Sequence, residues 1–235
     1  LSYSNRSDEY HGLSIAGPNS RKVLEKIVRD DVSNEKFKFR DSRRMFVGGV
    51  PAIINRISFT GELGYEIYVA PHYQLKLYEE LMEAGKEFNI KPFGGRALMS
   101  MRLEKNWGAW TLDYRPDFTA KETGLDAFIN WDKEFIGKES AQKENSSNKL
   151  VPLIVETNEI DVTNNEAVLN GDQSIGYVTS GGFAHFVNKS VAFTFVDQKN
   201  IKSENKIQVE INGDLFNCSI IKEPLYDPSG QKMRS

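Results

Sequence analysis

The chain has 235 residues, close to the length at which a single hydrophobic core stops growing, so two modules are expected. Thirty Lys and Arg against 33 Asp and Glu leave a net charge of −3, which argues against a polyanion binder held by counterion release. Hydrophobic residues at 39% and aromatics at 11% exclude global disorder, and no run approaches the roughly 18 apolar residues that cross a bilayer. Neither nucleic acid nor a membrane is therefore an expected partner.

The first ten residues carry no leader pattern, and a start at Leu1 rather than Met fits a piece of a longer polypeptide. Gly12-Leu13-Ser14-Ile15-Ala16 reads as a short strand, Gly17-Pro18 as a turn, and Val23, Leu24, Ile27 and Val28 as one side of a helix capped by Asn19 or Ser20. Residues 45–59 and 65–69 predict a β-hairpin, interrupted by Thr60-Gly61-Glu62-Leu63-Gly64. Pro71 opens a helix with Leu75, Tyr78, Leu81, Met82 and Gly85 on one face, ended by Asn89 and Pro92. A second helix follows Gly94-Gly95 with Leu98, Met101 and Leu103 inward.

Residues 142–149 are polar and read as a linker. Beyond them, strand-like runs at 150–155, 174–179, 190–196, 207–211 and 215–221 carry no helical stripe, which predicts a small antiparallel β-barrel. The expected fold class is α+β, with an α/β domain over residues 1–145 and a barrel domain over residues 146–235.

Catalytic signatures are absent: there is no P-loop, nucleophile elbow or HExxH. His11, His72 and His185 are scattered, so no metal site is expected, and Cys218, the one cysteine, reads as an inert core thiol in a reducing compartment. Period two puts Glu66 and Tyr68 on the strand face opposite Tyr65, Ile67 and Val69, so Glu66 reads either as a solvated carboxylate or as a ligand carboxylate in a cleft. Arg96, Arg102 and Glu104 read either as helix-end ion pairs or as part of a site. Trp107, Trp110, Tyr114 and Phe118, with Asp113, Arg115 and Asp117, form either the lip of a cleft for a flat ligand or packing.

Leu13-Ser14-Ile15-Ala16-Gly17-Pro18-Asn19-Ser20 and Ile57-Ser58-Phe59-Thr60-Gly61-Glu62-Leu63-Gly64-Tyr65-Glu66 resemble the folate-binding aminomethyltransferase family, which includes the glycine-cleavage T-protein. Met101-Arg102-Leu103-Glu104-Lys105, Glu122-Thr123-Gly124-Leu125, Phe135-Ile136-Gly137-Lys138 and Thr179-Ser180-Gly181-Gly182 continue the likeness in order. The stretch 115–125 and the ending Glu223-Pro224-Leu225-Tyr226-Asp227-Pro228 are more similar to the C-terminal half of dimethylglycine and sarcosine dehydrogenases.

This resemblance implies an aminomethyltransferase-like folate domain, partial here, followed by the family's barrel. It further implies tetrahydrofolate as cofactor, an upstream FAD domain that oxidises a methylated amine, and capture of the resulting one-carbon adduct as 5,10-methylenetetrahydrofolate. Glu66 matches the pterin-binding carboxylate, Arg96 a folate-contacting arginine, and Arg102 with Glu104 an Arg-Leu-Glu motif. Phe59 stands where the family often has Tyr, leaving ring packing, and Tyr65 and Trp110 would wall the cavity. The family's catalytic Asp belongs to a segment upstream of Leu1, so no catalytic residue is expected within the chain and the piece alone is expected to be inactive. A free-standing T-protein working with a lipoyl carrier, a demethylase of another substrate, and a non-catalytic folate-binding or interaction module are the alternatives. The expected location is the cytoplasm, or the mitochondrial matrix in a eukaryote.

Overall fold

The computed structural model describes residues 2–157, 159–201 and 206–235. They fall into two compact units, Leu1–Leu98 with Asp227–Ser235, and Met99–Tyr226. Strand β1 (His11–Ala16) leads through Gly17-Pro18 into helix α1 (Ser20–Glu25), with Val23 and Leu24 buried. Strands β2 (Ser42–Val47), β3 (Val50–Asn55) and β4 (Gly64–Val69) complete an antiparallel sheet in the order β1-β4-β3-β2. The expected single run over residues 45–59 is thus two strands, turned at Gly48-Gly49, both with positive φ. Two adjacent glycines inside a run rich in branched residues permit this tight hairpin.

One sheet face packs Ile15, Val47, Ile54, Tyr65, Ile67 and Val69 against α1 and helix α2 (Gln74–Gly85). Helix α2 begins after a single 3-10 turn at Pro71–Tyr73. Its buried stripe is Leu77, Leu81, Ala84 and Gly85, not the one expected through Leu75 and Tyr78, which are 68% and 42% exposed. Both stripes have helical spacing and share Leu81 and Gly85, the latter packed against Ile90.

The C-terminal segment belongs to this first unit, where helix α5 (Gln231–Arg234) buries Met233. Arg56, fully buried, donates to the carbonyls of Phe37, Arg234 (3.0 Å) and Ser235 (2.7 Å), and Arg21 donates to Ser235 at 2.7 Å.

Helix α3 (Gly95–Glu104) begins in the first unit and ends in the second. Its buried residues are Arg102, Leu103 and Glu104, while Leu98 and Met101 are half-buried. In the second unit, helix α4 (Lys138–Lys143) precedes a closed antiparallel barrel. Its strands are β5 (Asn148–Val155), β6 (Ala167–Asn170), β7 (Gln173–Ala184), β8 (Lys189–Asp197), β9 (Ile207–Ile211) and β10 (Asp214–Ile220). Around the barrel they run β10-β5-β8-β7-β6-β9. Strand β6, four residues long, has too short a pattern to stand out in sequence.

The expected linker over 142–149 is shared between the end of α4 and the start of β5. Within it, Ser146 donates to the buried Glu122 at 2.5 Å. Alternation along β5 and β9 sends Val151, Leu153, Val155, Ile207, Val209 and Ile211 into the barrel core beside Cys218.

Candidate functional site

The chain enters β4 through a tight, hydrogen-bonded turn. Ser58 Oγ accepts from the Thr60 amide (3.2 Å), and Thr60 Oγ1 accepts from the Glu62 amide (3.2 Å). Gly61 has φ of 85°, in the left-handed region where a side chain would strain the turn. The Leu63 carbonyl then accepts from the Gly17 amide (2.8 Å) and the Ser20 hydroxyl (3.0 Å), tying this turn to the one after β1. Register is fixed accordingly: Ser14 and Asn55 flank Glu66, and Gly12 and Ile53 flank Tyr68.

Glu66 and Tyr68 are half-buried on the sheet face away from the core. Tyr68 Oη donates to Glu66 Oε2 at 2.7 Å, and this bond to a carboxylate pushes the phenol's pKa up to about 12. Tyr65 points the other way. It is fully buried and stacked on Phe37 with ring centroids 5.8 Å apart, so the structure places it inside the unit's core instead of on a cavity wall. Phe59 is half-buried in the turn before β4, and Arg96 is exposed in the first turn of α3.

A cleft of about 610 Å³ lies in the same unit, along the free edge of β1. Tyr78, Leu81 and Met82 of α2 wall it, with Phe88 and the segment 89–95. Gly12 and Ser14, the cross-strand neighbours of Tyr68 and Glu66, line it, whereas Glu66 itself does not. Main-chain polar groups beside apolar walls suit a flat ring with a hydrogen-bonding edge. The carboxylate stands one strand in from this cleft.

The remaining sequence candidates belong to the second unit. Arg102 is 1% exposed and donates from Nη1 to Asp113 Oδ2 (2.7 Å) and to the Trp107 carbonyl (3.0 Å), with its guanidinium 5.3 Å from the Phe193 ring centre. Burial lowers the Arg102 pKa, and the Asp113 charge acts against that shift. Asp113 also accepts from the Ala109 amide (2.8 Å), Thr179 Oγ1 (2.5 Å) and Ser180 Oγ (2.7 Å). A register shift in β7 between Val178 and Ser180 brings the two neighbouring hydroxyls to one carboxylate, which accounts for Thr179-Ser180 in structural terms.

Glu104 accepts from the Phe186 amide at 2.6 Å. Arg102 and Glu104 thus tie the end of α3 into its own unit. Trp110 is 76% exposed, edge-on to Tyr114, while Phe118 stacks on Phe195 at 3.9 Å. The aromatic stretch 107–118 therefore divides between packing and one exposed ring. Two residues escaped sequence reasoning as partners: Tyr68, signalled only by its parity with Glu66, and Asp113, hidden in the aromatic stretch.

The family profile described as "GCVT N-terminal domain" matches residues 1–133, and "Glycine cleavage T-protein C-terminal barrel domain" matches residues 148–227. The chain belongs to the glycine cleavage T-protein family. Among T-protein relatives, it is 36% identical over 226 residues to mitochondrial dimethylglycine dehydrogenase of Mus musculus, covering 94% of this chain and 26% of that protein. It is 31% identical over 234 residues to an aminomethyltransferase of Thermoanaerobacter pseudethanolicus, covering 97% and 63%. The crystal structure of glycine cleavage system aminomethyltransferase T from Bartonella henselae superposes with a TM-score of 0.67 at 25% identity, over 75% of this chain and 50% of that one. The chain thus spans about a quarter of the dehydrogenases it matches and under two thirds of the aminomethyltransferases. The mixed α/β unit followed by a closed antiparallel barrel agrees with the T-protein architecture expected from sequence.

Proposed function

We propose that this chain is the C-terminal, tetrahydrofolate-dependent part of an FAD-linked dimethylglycine- or sarcosine-dehydrogenase-like enzyme, receiving a one-carbon adduct and forming 5,10-methylenetetrahydrofolate. In this reading residues 1–145 are part of the folate domain and residues 146–235 the barrel domain, whose tail, Asp227–Ser235, groups with the first unit. The carrying observation is Glu66: a half-buried carboxylate on the open sheet face, held by Tyr68 and without an ion pair among the described residues. A reduced pterin presents an N–H and amino edge, for which an acceptor-only carboxylate is the matching partner. Bound tetrahydrofolate would supply the nitrogens that accept the one-carbon unit.

The chain's own part is to bind and orient. Glu66 accepts from the pterin edge, Phe59 packs beside the turn, and the exposed Arg96 offers a guanidinium to the ligand. Tyr65 backs β4 from the core, Arg102 acts through the fold of its unit, and Trp110 is a proposed ring contact of the second unit. Holding the acceptor near the adduct favours capture over hydrolysis by proximity. The FAD domain and the acid/base Asp are assigned to polypeptide upstream, and the location to the cytoplasm or, in a eukaryote, the mitochondrial matrix. Identity to dimethylglycine dehydrogenase across 94% of the chain supports the dehydrogenase setting over a free-standing T-protein.

Glu66→Gln in the full-length protein is expected to weaken tetrahydrofolate binding by about 1–3 kcal/mol in titration calorimetry, and unchanged affinity overturns the assignment. The 235-residue piece alone is expected to turn over little or no one-carbon donor with tetrahydrofolate; robust turnover would contradict the upstream assignment. A G-x-G-x-x-G strand–helix unit in the upstream coding sequence is the expected sign of the FAD fusion.

A further inference from the structure

Tyr68 lies two residues beyond Glu66 on β4, and side chains at that spacing stand side by side, about 6–7 Å apart along the strand. For the phenol to meet its neighbour's carboxylate, the ring needs room to lean. That room is at Gly12, the register partner of Tyr68 on β1. A Cβ there would sit 3.0 Å from Tyr68 Cε1 and 3.2 Å from Cδ1, so the ring rests directly on the glycine backbone. With the ring seated there, Tyr68 Oη reaches Glu66 Oε2 at 2.7 Å.

We propose that Tyr68, seated on Gly12, is a positioning residue: it holds Oε2 of Glu66 and so presents the other carboxylate oxygen to the N–H and amino edge of a reduced pterin. This rests on the reading of Glu66 given above. An ionised carboxylate has acceptor capacity to spare after one such bond. The phenol, pushed up to about 12, keeps its proton across the neutral range and remains a donor. Ordering a flexible glutamate before the ligand arrives removes that ordering from the cost of binding, an effect on the order of 2- to 12-fold in affinity.

The test uses full-length protein with 5-formyltetrahydrofolate as the probe and four variants: Glu66→Gln, Tyr68→Phe, Gly12→Val and the double Glu66→Gln/Tyr68→Phe. Tyr68→Phe and Gly12→Val are each expected to weaken binding roughly 2- to 12-fold. Tyr68→Phe is expected to add nothing once Glu66 is Gln. Without any ligand, the tyrosinate absorbance that Tyr68→Phe removes should titrate near 12, and move down toward the ordinary phenol value of about 10 in Glu66→Gln. If Glu66→Gln weakens binding but Tyr68→Phe does not, or weakens it equally in both backgrounds, Tyr68 is not a positioning residue and the Glu66 reading stands. If Glu66→Gln leaves affinity unchanged, that reading falls and the role of Tyr68 with it.

Discussion

Asp113 shows how a buried charge is held within its own unit. Both it and Arg102 are out of solvent, and four donors satisfy its two oxygens. Removing one partner strands the other's charge in a low-dielectric interior. Asp113→Ala is therefore expected to lower stability by about 3–5 kcal/mol in urea unfolding, and Arg102→Met/Asp113→Leu together to recover much of that loss. Thr179→Val should cost only about 1 kcal/mol, since Ser180 still donates.

Cys218 gives the pH counterpart at this scale. Burial pushes its thiol up to about 12 from an ordinary value near 9. The neutral thiol's contribution is complete below the unfolded value and lost as pH rises from about 9 toward 12. Native protein at pH 8 should not react with a thiol-disulfide reagent until denaturant is added, and one rapid equivalent before unfolding would contradict the buried placement.

At the scale of elements, the parity of β4 was legible because one face is fully buried: Tyr65, Ile67 and Val69 are at most 1% exposed while Glu66 and Tyr68 alternate with them. The inward face of α2 was not, because two overlapping stripes satisfy the same helical period and share Leu81 and Gly85, so spacing alone does not choose between Leu77 and Tyr78. Nor could spacing pair Arg102 with Asp113, since the loop between them turns through Asn106 and Thr111, both at positive φ.

The attachment of α5 was equally hidden, because one of its anchors, Arg56, bonds only to main-chain oxygens in the described structure, which leaves no charge pairing to read from sequence. Arg56→Ala is expected to release that helix and destabilise the first unit by about 1–3 kcal/mol. Limited trypsin digestion would read this as faster cleavage at Lys232 and Arg234. Unchanged cleavage and stability would mean that the segment's other contacts, the Arg21 bond to Ser235 and Met233 packing among them, hold it without Arg56.

For the whole molecule, each unit has its own apolar core, and among the described residues no helix is long and apolar enough to cross a membrane. The two architectures treat their strand margins differently. A closed barrel leaves no unpaired strand, whereas the four-stranded sheet ends in β1 on one side and β2 on the other. β2 carries Arg43 and Arg44, and like charges discourage a second strand from approaching it. From Gly12 to Ala16, β1 has no charged side chain. When that border is uncovered in a concentrated preparation, copies can zip together along it, main chain to main chain, and precipitate without either core unfolding. A Ser14→Lys change should slow this clouding in stored samples, followed by light scattering, whereas an equal rate would move the sticky margin elsewhere.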